Sequence, residues 1–193
     1  MPHAAACQRQ KAEEIEHRFW YDTPLISDSS DEVQPAMSAQ WQTLVSQKLY
    51  LATQLAGLSR KQASATDREA TLQGAIELAL RARKLMFALV ARYHQQNRAT
   101  PANVEELTTL IADTPDAELL TDLARTPGSW LNHLEQLEVA QSEPPRQQKT
   151  VSEENIIAVS TAAGPDRSAD GLLETLAAMK AFMTDLGERH AEW

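Results

Sequence analysis

Five histidines (His3, His17, His94, His133 and His190) and a single cysteine, Cys7, bound the chemistry this chain can perform. Glu14 and His17 form one Glu-x-x-His, a spacing that lays two ligands on one helix face in carboxylate-rich di-iron bundles. Such a centre needs a second copy and two further glutamates. No second copy occurs, so no metal site is expected. His94 follows Tyr93 near the end of a helical stretch, where an imidazole suits the exposed carbonyls of a helix C-terminus. One cysteine excludes an intrachain disulfide framework and a cysteine-rich zinc site. The chain has six glycines and no G-x-S-x-G, G-x-x-x-x-G-K-[ST] or G-x-G-x-x-G, so no nucleophile elbow or phosphate loop is present and no cofactor is expected. These features favour a non-enzymatic protein over an enzyme, and no residue stands out as catalytic.

The remaining candidates are cationic. The net charge is −9, but it is unevenly spread. Residues 37–98 hold nine basic and three acidic residues, whereas residues 99–193 hold six basic and 17 acidic. Within the basic stretch Arg81, Lys84 and Arg92 lie broadly along one helix side. Lys48 and Arg83 each fill a slot on an otherwise apolar stripe. Their long stems can lie on a core while the charge reaches outward, or the two can frame a polar pocket. The basic and acidic segments are expected to pack together and neutralise one another. Any stripe left exposed would suit an acidic protein partner. Nucleic acid is disfavoured by the overall charge and by the lack of interleaved aromatics. Trp193, at the end of the sequence, reads as a packing or partner contact. No uncharged apolar run approaches a membrane span, and a cytoplasmic protein is expected. The oligomeric state does not follow from the sequence.

These side chains must be positioned by helices. Trp41, Leu44, Leu51, Leu55 and Leu58 follow a 3–4 spacing and predict a helix from Ser38 to Gln62. Thr66 and Glu69 have capping-box spacing and predict a second helix reaching Asn97, with Leu72, Ile76, Ala79, Met86, Val90 and Tyr93 on its inner stripe. A short turn between two long helices makes an antiparallel hairpin. Ile76, Met86 and Val90 are expected to face Leu51 and Leu55 across it. Thr100-Pro101, Thr114-Pro115 and Thr126-Pro127 each place a capping hydroxyl before a proline at the first helical position, predicting three short helices. Pro144-Pro145 marks a linker over residues 142–150. Ile156, Ile157 and Val159 form the sole strand-like patch, and a last helix begins near Ser168 or Asp170 and runs to His190. Residues 1–36 read as a disordered tail, or as the result of a start site placed too far upstream of Met37. The expected fold is all-α, an antiparallel helical bundle built on the long hairpin and completed by short helices and a C-terminal helix, in a single domain over residues 37–193.

Gln47-Lys48-Leu49-Tyr50, Ser129-Trp130-Leu131, Ile156-Ile157-Ala158-Val159 and the final Glu192-Trp193 resemble an uncharacterised family of gammaproteobacterial proteins common in Pseudomonas-like genomes, a domain of unknown function. The resemblance covers residues 37–193. It implies an all-helical bacterial protein of this layout and brings no activity, ligand or catalytic residue with it. The function expected from all of this is a non-enzymatic helical interaction protein. The alternatives are a ligand-binding or enzymatic bundle with a polar pocket near Lys48 and Arg83, and a nucleic-acid accessory protein using the basic hairpin.

Overall fold

The computed structural model describes residues 30–143 and 164–191. The chain divides between Ala36 and Met37 into two units, and the packing below is that of the second. The described residues form six helices and no strand: α1 (Ser30–Ser59), α2 (Ala65–Tyr93), α3 (Val104–Leu110), α4 (Pro115–Arg125), α5 (Trp130–Ser142) and α6 (Ala169–Ala191). The bundle is all-α, with α1 and α2 as a packed hairpin and α6 as the C-terminal helix, as the periodicity predicts. The strand-like patch at Ile156–Val159, residues 144–150 of the predicted linker, the Glu14–His17 pair and Trp193 lie outside the described residues. The first two linker positions are instead the last residue of α5, Ser142, and its cap, Glu143. No described helix is long and apolar enough to cross a membrane.

α2 is the axis. Ala75, Ile76, Ala79, Leu80 and Ala82 are buried, and every residue from Leu85 to Arg92 is buried as well. It packs against α3, α5 and α6. At the turn end of the hairpin, the Ser59 hydroxyl donates to the Arg68 carbonyl at 3.1 Å. Over Leu85–Arg92 the helix has no solvent face, so its apolar residues go all round there, whereas Glu77, Arg81 and Lys84 keep one side of the preceding turns exposed.

The caps differ from expectation in instructive ways. α2 is capped by Ser64, whose hydroxyl accepts from the Asp67 amide, rather than by Thr66. It stops at Tyr93 because His94 caps it and Gln95 takes a left-handed φ of 62°. Only Thr114-Pro115 is a cap with proline in the first turn. Asn103 caps α3, accepting from the Glu106 amide at 2.8 Å while the Glu106 carboxylate accepts from the Ala102 amide at 2.8 Å. Thr126 instead ends α4, and Ser129 caps α5 beyond Gly128, whose φ of 80° makes the turn. Threonine followed by proline also suits a helix stop, because the residue before proline is pushed out of helical geometry.

The inner face of α1 is also rotated from the predicted one. Val45, Leu49, Ala52 and Ala56 are buried, while Leu51 is 39% and Leu58 43% exposed. Each buried residue immediately follows a residue of the predicted stripe, a turn of about 100° around the helix. The expected Leu51 contact to the α2 core is therefore replaced by Ala52. Small residues let α1 approach α2 closely, and the leucines flank the contact. Leu55 stays half-buried, and a β-carbon on Gly74 of α2 would lie 3.3 Å from its Cδ1.

This placement predicts an asymmetry between two similar truncations. Ile76→Ala, in a fully buried site, should cost about 2–5 kcal/mol. Leu51→Ala should stay within about 1 kcal/mol, as expected for a surface position. Urea denaturation of both variants checks this, and equal losses would refute the rotated face.

Candidate functional site

The cationic candidates do not form one surface. Arg83 is 2% exposed, deep in α2, and its Nη2 donates to Glu138 Oε2 on α5. Its guanidinium lies 5.8 Å from the Phe87 ring centroid. Among the described residues, Arg83 Nε and Nη1 have no hydrogen-bond partner. Lys84 reaches the other oxygen of Glu138 at 3.3 Å. Burial pushes the Glu138 carboxyl up, but hydrogen bonds and charge from Arg83 and Lys84 outweigh it and hold it below its ordinary value. One helical turn earlier, burial raises the Glu135 carboxyl, with Arg83 opposing and Glu138 reinforcing the shift. A cleft of about 340 Å³ beside this cluster is lined by Glu77, Leu80, Arg81, Lys84, Glu138 and Gln141 among others. Lys48 does not line it and sits half-buried on α1.

Arg92 is a correction to the predicted stripe: it is buried, not displayed. Its Nη1 donates to the carbonyls of Ala88 (2.7 Å) and Ala99 (3.3 Å), and its guanidinium carbon lies 3.6 Å from the centre of the Trp41 ring. A planar cation is attracted to an aromatic face when little water separates them. Arg81 alone of the three is both exposed and without an ion-pair partner among the described residues. The expected neutralisation of the hairpin is visible at its turn end too, where Arg60 meets Asp170 at 3.3 Å.

The bundle assembles a polar cluster that the sequence reading missed. His94 caps α2, Asp116 lies in the first turn of α4, and His190 lies in the last turn of α6. His94 Nε2 and His190 Nε2 stand 2.9 Å and 2.8 Å from Asp116 Oδ2, and Arg189 Nη2 donates to Oδ1 at 2.8 Å. The His190 ring stacks on Tyr93, with centroids 4.6 Å apart and planes at 13°. It meets His94 edge-on at 5.1 Å. Asp116 is buried and both rings are half-buried.

The arrangement follows from the helix ends. A carboxylate is favoured at the positive N-terminus of α4, and imidazoles at the negative C-termini of α2 and α6. Burial alone would raise the Asp116 carboxyl; hydrogen bonds from His190, His94 and Arg189, with the Arg189 charge, hold it below its ordinary value. An ionised carboxylate only accepts, so both Nε2 atoms carry protons. His94 thus turns its ring to Asp116 rather than to the helix carbonyls; its backbone N–H, donating to Val90 and Arg92 carbonyls, does the capping. A third histidine, His133 on α5, binds Thr175 Oγ1 at 2.6 Å and the Asp166 carbonyl at 2.8 Å, tying α5 to the start of α6.

The profile of a family of unknown function, DUF6586, matches residues 37–193. The chain belongs to that family. No curated protein and no solved structure matches the chain. The matched span contains every residue of the clusters described above, so both belong to the family domain.

The Arg83–Glu138 pair predicts a pH signature. The Glu138 carboxyl is depressed in the folded state, so its contribution is fully present above its unfolded value of about 4.3 and is lost as pH falls through the folded value. Glu138→Gln should melt below wild type at pH 7, because Arg83 is left buried without its anion. The gap should narrow as pH is lowered from about 4.3. Melting curves from pH 7 to 3 check this; a gap that is constant with pH would mean the charge is irrelevant.

Proposed function

We propose that this DUF6586 chain is a non-enzymatic interaction protein of the bacterial cytoplasm, whose partner is an amphipathic helix laid along the outer side of α1. One observation carries the reading. Trp41, Leu44, Lys48, Leu51, Leu55 and Leu58 repeat at 3–4 spacing, yet α1 packs on α2 through the adjoining row of Val45, Leu49, Ala52 and Ala56. The bulkier row therefore stays half-buried to exposed, with Tyr50 beside it 63% exposed. Trp41, Leu44 and Leu55 rest partly on the core, and Leu51 and Leu58 stand exposed beside them. An apolar 3–4 repeat whose outer edge is left uncovered is the complement of another helix with the same repeat.

Lys48 lies mid-row. A polar residue in such a seam fixes register and favours an oppositely charged residue across it. The partner helix is thus apolar at heptad spacing with a carboxylate opposite Lys48, which agrees with an acidic protein partner. Phosphate binding is less favoured by the same surface: Arg92 is buried and Lys84 is paired, so Arg81 stands without an array around it.

A photo-crosslinking residue at Leu58 tests this in native cells, with the exposed Arg125 as a control position. Adducts heavier than the chain should form from position 58 and not from 125, and Lys48→Glu should abolish them. Adducts at twice the chain mass would show self-association instead. Crosslinks within the chain, or none at all, would equally overturn the partner-helix reading.

A further inference from the structure

The contacts of His94, Asp116 and His190 have a second consequence. One ligand-capable atom from each residue, two imidazole nitrogens and one carboxylate oxygen, lie within 4.8 Å of one another. They come from three helix ends separated by 22 and 74 residues in the sequence. The carboxylate uses Oδ2 toward both rings while its other oxygen is held by Arg189. Ligating carboxylates are commonly anchored this way by an outer partner, which frees one oxygen for the ion. Stacking on Tyr93 fixes the plane of the His190 ring. The carboxylate is 6% exposed and the rings 19% and 18%, so the site is shielded but reachable from solvent.

We propose that His94, Asp116 and His190 bind one divalent transition cation of the Zn²⁺ class. Two imidazoles favour such an ion over calcium or magnesium, which take oxygen ligands. Three protein ligands leave a coordination position for water. Ligands about 2.0–2.1 Å from a tetrahedral ion stand about 3.3 Å apart. The present nitrogen-to-oxygen separations of 2.8 and 2.9 Å are those of direct hydrogen bonds, so the rings need to part from the carboxylate by about half an ångström. The two ligand nitrogens, which lie within 4.8 Å of each other, close toward the spacing of neighbouring ligands. Loading exchanges each Nε2–H for a lone pair. In a neutral ring the proton moves from Nε2 to Nδ1, and no net proton is released. Among the described residues neither Nδ1 has a hydrogen-bond partner, so the second tautomer breaks no protein contact there.

The test uses the full chain, stripped with a chelator and titrated with Co²⁺ as a visible probe and then Zn²⁺. Wild type should bind one Co²⁺ per chain with visible ligand-field bands that Zn²⁺ removes. The double variant His94→Gln/His190→Gln keeps an amide N–H for Asp116 but loses both imidazoles. It should bind at least tenfold more weakly. His133→Gln should bind as wild type does. No Co²⁺ binding by wild type, or equal binding by the double variant, would overturn the site. If the double variant loses its helical circular dichroism, X-ray absorption of Zn²⁺-loaded wild type decides: two imidazoles in the shell are expected, and fewer than two overturn the proposal.

Discussion

The C-terminal turns of α2, buried on every side, impose a constraint that runs through this domain. From Leu85 to Arg92 no residue of α2 reaches solvent freely. Its neighbours must therefore come close all round, and its polar side chains must find partners inside. α1 meets the first demand by turning Ala52 and Ala56 inward. Arg83 and Arg92 meet the second in part and in different ways, with Arg83 Nε and Nη1 and Arg92 Nε left without a hydrogen-bond partner among the described residues. Arg83 is paired with a carboxylate from α5, whereas Arg92 is held by two carbonyls and the Trp41 ring. Removing one partner from a buried charge costs several kcal/mol, while a matched apolar pair in its place can be neutral or better. The arginines thus bind α5 and α1 to α2 at defined positions, and the leucine packing supplies the bulk of the burial free energy.

The same constraint organises the end of α2. Where the buried helix stops, its carbonyls lose their helical donors, and the local field is negative. α6 ends alongside with the same polarity, and α4 starts there with the opposite one. Asp116 and the two histidines follow the resulting gradient, and Arg189 completes the coordination of the carboxylate. Arg92, Tyr93 and His94 are consecutive, so the contact to Trp41 and the contact to His190 are made by one turn of backbone. Helix-end electrostatics and core packing meet in that turn.

How much of this is legible in the sequence depends on the range of the signal. The hairpin and α6 follow from 3–4 periodicity, a local property. The rotated face of α1 does not, because its leucines outweigh its alanines in any hydrophobic pattern, although close approach favours the alanines. Of the Thr-Pro pairs, Thr114 caps a helix and Thr126 ends one, and the local chemistry suits both roles. Lys48 and Arg83 stand out as interruptions of a stripe, but the stripe carries no trace of Glu138, 55 residues further on. The Asp116 cluster is the least legible part. Its members stand 22 and 74 residues apart in the chain, and none has ligand spacing with another. The one usable signal is that Asp116 follows Pro115 at a helix start while His94 and His190 close two other helices. That signal says each residue suits its own helix end, not that the three ends meet.

Charge is equally deceptive when read along the chain. A segment with nine basic and three acidic residues has the composition of a phosphate-binding face. Folding removes the array by three different routes. Arg92 is buried against a ring, Arg83 and Lys84 share Glu138, and Arg60 meets Asp170. The exposed pair at Arg60 contributes little to stability in high dielectric. Yet each such pair lowers the field that would draw in a polyanion, and the excess of carboxylates beyond residue 99 extends that effect over the domain. What the surface of α1 retains is a row of half-covered leucines with one lysine among them. Apolar contact is short-ranged and depends on matching shape, whereas a diffuse positive field acts on any anion. Under the partner-helix proposal, a surface that has cancelled its field and kept its leucines would discriminate by shape, with Lys48 as its one electrostatic mark.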